Sequence, residues 1–182
     1  MSKLYVNQLA PKTAGNKIVM PQGGIIQTQY RQYTGMDSVS LTSNTDTPLG
    51  DLTVNITPAS ASSVIHLQAH VFIEFAVDGN SYEHVFFFYR DTTKLGQPAS
   101  GSRRSGISMA TRTYDGPDDN STPCIARYDY FDTPATTSTI TYKCGVSALT
   151  TDTLFINRTV ADTDNGSYER GISSIIATEI AG

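Results

Sequence analysis

The run from residue 64 to 77, Val-Ile-His-Leu-Gln-Ala-His-Val-Phe-Ile-Glu-Phe-Ala-Val, constrains the fold more than any other part of the chain. Its odd positions, Ile65, Leu67, Ala69, Val71, Ile73 and Phe75, are all apolar, while His66, Gln68, His70 and Glu74 fall on even positions. Strand side chains alternate between two faces, so this pattern predicts a strand with one face in a hydrophobic core and the other turned outward. Residues 83–91, Glu-His-Val-Phe-Phe-Phe-Tyr-Arg-Asp, differ in being apolar or aromatic on both faces. A sandwich core accepts only one face of a strand. The second apolar face needs another cover, and in a chain of 182 residues that cover is read as a further copy of the same protein. The expectation is a β-sandwich that oligomerises, with Phe86 or Phe88 at the subunit interface.

The rest of the chain is punctuated like an all-β protein. Strands are predicted over 25–33, 38–43, 50–56, 64–77, 82–90, 105–113, 124–131, 138–146, 153–157 and 168–180, with weaker extended pieces at 3–9 and 17–20. The breaks are rich in Asp, Asn, Gly and Pro, at 78–80, 94–101, 114–123, 132–134 and 162–166. Asp78-Gly79 predicts a tight hairpin turn. No window of 11 or more residues carries a helical period, and no apolar run of 18 residues exists to span a membrane. The fold class expected is all-β, a jelly-roll β-sandwich with a short extended N-terminal arm. The opening Met1-Ser2-Lys3-Leu4-Tyr5-Val6 has neither the apolar run nor the cleavage site of a secretory signal.

Charge divides the chain unevenly. Residues 1–36 hold Lys3, Lys12, Lys17 and Arg31 and no acid, whereas the remainder has 9 basic and 17 acidic residues. One reading is compositional scatter in a polar segment. The other is an attachment arm, residues 1–36, that docks on an acidic partner through those four cations, followed by a head at 37–182. Four spaced cations make few phosphate contacts, so nucleic acid is not an expected partner.

Few residues of the chain point to chemistry. His66 and His70 share a strand face about 6.6 Å apart per alternate position; they read as polar surface or subunit interface in preference to a metal site. Asp162-Thr163-Asp164-Asn165-Gly166 starts like a calcium loop, but Gly stands fifth and Ser173 occupies the twelfth place, so a turn explains it better. Cys124 and Cys144 read as reduced, buried side chains, with pairing across neighbouring strands as the alternative. No Gly-x-Ser-x-Gly elbow, phosphate loop or dinucleotide fingerprint occurs. Neither a cofactor nor a metal is expected, nor catalysis. The two longest strand-free segments, 94–106 and 114–123, are where binding specificity is expected, with Arg103 and Arg104 in the first and Tyr114 beside Asp115, Asp118 and Asp119 in the second.

Several strings carry a resemblance. They are Phe86-Phe87-Phe88-Tyr89-Arg90-Asp91 with Lys94-Leu95-Gly96 and the 101–106 loop, then Tyr128-Asp129-Tyr130-Phe131-Asp132-Thr133-Pro134 and Thr139-Ile140-Thr141-Tyr142-Lys143. Phe155-Ile156-Asn157-Arg158 and the ending Ser173-Ser174-Ile175-Ile176-Ala177-Thr178-Glu179-Ile180 complete the set. In that order they resemble tail-fibre or head-fibre proteins of marine bacteriophages, with trimeric jelly-roll heads like those of complement and tumour necrosis factor. Ser2-Lys3-Leu4-Tyr5-Val6-Asn7 and Ile18-Val19-Met20-Pro21-Gln22-Gly23-Gly24 resemble the leader of such proteins. The resemblance implies a homotrimer with Phe86, Phe88, His66 and His70 at its interface. It also implies an arm bound to other virion proteins, assembly in a bacterial cytoplasm, and exposure on the virion surface.

Three functions follow as expectations. First is a fibre head whose distal loops contact a host-surface glycan or protein. Second is a capsid decoration protein held by its arm. Third, and far behind, is a glycan-cleaving enzyme, which would need paired carboxylates from among Glu74, Glu83, Asp115 and Asp129.

Overall fold

The computed structural model describes residues 21–76, 83–112 and 120–182, and within them the protein is an all-β sandwich of antiparallel strands. The Asp78-Gly79 turn, Tyr114, Asp115, Asp118 and Asp119, and the arm cations Lys3, Lys12 and Lys17 lie outside the described residues.

Strand β4 (Val64–Phe75) organises the larger sheet. Along one edge it pairs with β8 (Cys124–Asp132), from Ile65↔Asp132 to Ile73↔Cys124. Along the other edge it takes β11 (Ser173–Ile180) at residues 64–70 and β10 (Asp152–Ile156) at residues 73–75, end to end. The outer strands are β1 (Ile25–Tyr33) on β11, β2 (Asp37–Leu41) on β10, and β7 (Thr111–Arg112) on β8. The second sheet runs β3 (Asp46–Ile56), β9 (Ile140–Ala148), β5 (His84–Arg90), β6 (Thr93–Leu95).

The alternation of β4 holds as expected. Ile65, Leu67, Val71 and Ile73 are fully buried, while His66 and His70 face outward. Ile65, Leu67, Val71 and Ile73 pack with Leu52, Val54 and Ile56 of β3, Phe86 and Phe88 of β5, Tyr142, Cys144 and Val146 of β9, and Ile175 and Ala177 of β11 into one core. At about 1.5–3 kcal/mol per buried large side chain, this shared core is the main stabilising term.

Two expectations about chain organisation change. Residues 25–33 are no free arm: β1 pairs with β11 from Ile25↔Ile180 to Tyr33↔Ser173, and Arg31 lies opposite Ile175. The arm boundary at residue 36 therefore falls after a strand of the sandwich. Gln, Thr, Tyr and Arg build that strand because an edge strand needs backbone ladder bonds more than an apolar face. In addition, Lys94 and Leu95, read as the start of a break, belong to β6, turned back on β5 at Asp91 with a positive φ of 53°. Of the strand expected over 105–113, the described residues keep Thr111–Arg112 and a bridge between Ser108 and Phe86.

Candidate functional site

The aromatic strand does not present Phe86 and Phe88 to a partner. Both are fully buried in the core of their own chain, Phe88 against Tyr128 with ring centroids 4.6 Å apart. The expectation that either lies at a subunit interface is thereby corrected. The opposite face of β5 carries Val85, Phe87 and Tyr89, and the chain covers its centre itself. Phe87 stands across from Gly145, whose missing side chain leaves the slot the ring fills: a Cβ there would meet Phe87 Cε2 at 2.7 Å. Lys94 of β6 lies over the ring at 4.2 Å, held by Asp46 at 2.8 Å, and Tyr89 meets its edge at 5.0 Å. The result is a fully buried Phe87 on an outer face, with no second copy needed.

The outer face of the larger sheet is different. Strand register places three rows across it: Thr28, Thr178, His66 and Phe131; Tyr30, Ile176, Gln68 and Asp129; Gln32, Ser174, His70 and Arg127. Tyr30 is 73% and Phe131 57% exposed, with Val64, Ile176 and Ile180 half-buried between and beside them. The His66 ring stacks on Phe131 at 4.2 Å and 9°, and His66 Nε2 lies 3.7 Å from Asp129 Oδ2. Arg127 Nε donates to His70 Nδ1 at 3.0 Å. Burial, and then the Arg127 charge, hold the His70 imidazole below its usual 6.5, so the neutral ring that can accept this bond is favoured. A hollow of about 330 Å³ opens between Gln68, His70, Arg127, Asp129 and Ile176. Both expected histidines are thus brought to one face with exposed aromatics that sequence reading passed over. Phe131 had a signal: it falls at the same parity as Asp129 and Arg127.

Arg103 and Arg104 meet in a second place, a groove of about 470 Å³ on the β5 edge of the smaller sheet. Segment 97–108 folds back on that edge: Phe86 donates to Ser108 O at 2.7 Å, Ile107 to Phe86 O at 2.8 Å, and Gln97 to Gly106 O at 3.0 Å. Gly106 is required there, since a Cβ would run into Val85 and lie 2.9 Å from Phe86 O. Arg31 is exposed on the edge strand β1.

Buried polar groups elsewhere are engaged in holding the fold. Glu74 accepts from the amides of Thr122 and Val160, each at 2.7 Å. Asp132 binds Arg90 at 2.9 Å and the Tyr142 hydroxyl at 2.7 Å. Asn157, with φ of 61°, donates to the Tyr33 and Gly35 carbonyls and accepts from Ser173 Oγ, splicing β1 to β2 and β10 to β11. Asp162, the head of the calcium-like string, is bound by Arg170 at 2.5 Å and Arg158 at 3.7 Å. Cys124 and Cys144 are buried in opposite sheets and form no disulfide, and burial pushes the Cys144 thiol up to about 12. Among the described residues no group of three or more His, Cys, Asp or Glu is placed to hold a metal, and no helix is long and apolar enough to cross a membrane. Compared with known proteins, the chain matches no family model and no curated protein.

Proposed function

We propose that this chain is a non-enzymatic structural protein of a bacteriophage virion, the homotrimeric head of a fibre on the particle surface that contacts the host cell. The observation that carries the reading is the exposed aromatic face of the larger sheet. Tyr30 and Phe131 stand out of a surface in which Val64, Ile176 and Ile180 supply further apolar area. Exposed rings set among polar side chains on one sheet face suit an association surface, where aromatic residues are enriched. Its charges suit self-association, because Arg127 and Asp129 alternate on one strand and offer both signs to an identical neighbour.

The chain path supports the finer jelly-roll reading. It crosses between sheets at β2–β3, β3–β4, β4–β5, β6–β7, β8–β9 and β9–β10, and stays within one sheet only at β1–β2, β5–β6, β7–β8 and β10–β11. Packing three copies through their larger sheets leaves the smaller sheets and the Arg103–Arg104 groove outward, as a host-facing head requires. The arm ahead of β1, with Lys3, Lys12 and Lys17, is the segment we assign to attachment on other virion proteins.

The test is the mass of the purified protein by light scattering, followed by incubation with host cells and with fibreless capsids. We expect three times 19.7 kDa and binding to cells. A monomer at micromolar concentration sinks the assembly reading. Binding to capsids through the head, and not to cells, replaces the fibre with a decoration protein.

A further inference from the structure

The groove over the β5 edge combines features that the fold itself does not use. Arg104 is mostly covered, and its Nε is buried without a hydrogen-bond partner among the described residues. A buried donor left unmade costs roughly 1–3 kcal/mol, more for a charged group, so its retention calls for an acceptor from outside. Arg103 lines the same groove, and neither guanidinium makes an ion pair with a described residue. Among the described residues no carboxylate lines the groove. Ser100, Ser105 and Ser108 add hydroxyls and Gln97 an amide, while Val85 and Met109 give an apolar floor.

The loop is shaped before any ligand arrives. Arg103 N donates to Ser100 O at 3.3 Å around Gly101, whose φ of 61° closes the turn, and the Gly106–Ser108 strip is bonded to Phe86. Two guanidinium groups on a loop with bonded backbone suit an oxyanion, which they can bind through paired N–H bonds. The volume, about 470 Å³, falls in the range of small-ligand sites.

We propose that this groove binds the anionic group, sulfate ester or carboxylate, of an acidic glycan. The choice of a glycan rests on the host-facing reading above; the oxyanion site itself does not. Two arginines on a protein of net charge −4 make a local site and no nucleic-acid track. Three grooves on one trimer would turn modest single-site affinity into firm adhesion.

The test is calorimetric titration of the full chain with inorganic sulfate, then binding to immobilised dextran sulfate, polygalacturonate, neutral dextran and single-stranded DNA. We expect sulfate to bind, and one or both acidic glycans to be held at least about tenfold more tightly than dextran or DNA. The tighter glycan names the ester or the carboxylate as the source. Arg104→Gln should lower affinity by about tenfold or more, and Arg104→Lys should restore part of it by returning charge without the fork. Arg103→Gln, at an exposed position, should weaken binding with an unchanged melting curve, which separates the site from folding. Undiminished binding by Arg103→Gln/Arg104→Gln, equal binding of dextran, or equal binding of DNA overturns the proposal. Sulfate binding reads each chain singly: a monomer that binds it defeats only the trimer, and a trimer that does not defeats only the groove.

Discussion

Glu179 gives the sharpest test of how the sandwich is closed at one end. It stands on β11 at a core-facing position, fully buried, opposite Ile65 and Gln27. Its Oε1 accepts from the Ala59 amide and from Ser63 Oγ, both at 2.7 Å, and its Oε2 accepts from Gln27 Nε2 at 2.6 Å. One carboxylate therefore ties β1, β11 and the β3–β4 connection together. Burial pushes its pKa up, but the bonds from Ser63, Gln27 and the Ala59 and Ser60 amides outweigh that and leave it below 4.5. Glu179→Gln keeps the shape and removes the charge. Charge-assisted bonds are about twice as strong as neutral ones, and the new amide faces Gln27 donor to donor, so the loss at pH 7 should be about 1–2 kcal/mol. Glu179→Ala strands three donors and should cost about 3–5 kcal/mol. A folded-state pKa below the unfolded one means the native protein binds fewer protons in acid. The contribution is complete above 4.5 and drains away as pH falls through the lower folded value. Urea unfolding followed by circular dichroism at several pH values between 7 and 3 should show the gap between the parent and Glu179→Gln closing as acid is added. Equal urea midpoints at pH 7, or a gap that widens in acid, would refute the reasoning.

If the proposed trimer packs through the larger sheet, Phe131→Ala should dissociate it: burying the exposed half is worth about 1–2 kcal/mol per protomer, so three copies would weaken it by more than about a hundredfold, measured by sedimentation. Gly145→Val should push Phe87 out from under Lys94 and lower stability by about 1–3 kcal/mol without loss of the fold, read from thermal melts. A chain beginning at Ser38 should lose cooperative unfolding or a large part of its stability, because it removes the strand paired along the whole of β11; an unchanged melting transition would restore the arm boundary at residue 36.

How far the sequence could be read depended on where each signal resides. The alternation of β4 is intrinsic to one strand, so its two faces, its core residues and the outward histidines followed directly. The doubly apolar β5 gave a true signal with the wrong cover. What covers Phe87 is Lys94, from a three-residue strand behind a tight turn, and the absent side chain of Gly145 on β9. Both depend on cross-strand register, which no local pattern contains. Strand β1 was legible as a strand but not as a member of the sheet, because its bonds are backbone bonds and its side chains are polar. Glu179 did leave a trace: it shares parity with Ile175 and Ala177 and so falls at an inward position. Glu74 left none, since it lies at an outward parity of β4 and is buried by the segments at Thr122 and Val160, distant in sequence.

The two outer faces of the sandwich decide which sheet can meet another copy. The smaller sheet fills its aromatic centre from within, under Lys94, and presents Thr53, Asn55, Thr141 and Lys143 around it, a surface water can cover. On the larger sheet the rings of Tyr30 and Phe131 have no such cover, and Arg127, on the same face, is bonded to His70. The basic groove opens on the β5 edge, on the smaller sheet, away from the exposed aromatics. Association through the larger sheet therefore buries the rings and leaves each groove open to solvent. A threefold assembly through the smaller sheet would do the reverse, crowding the grooves and exposing six aromatic side chains, and the distribution of buried and exposed aromatics argues against it.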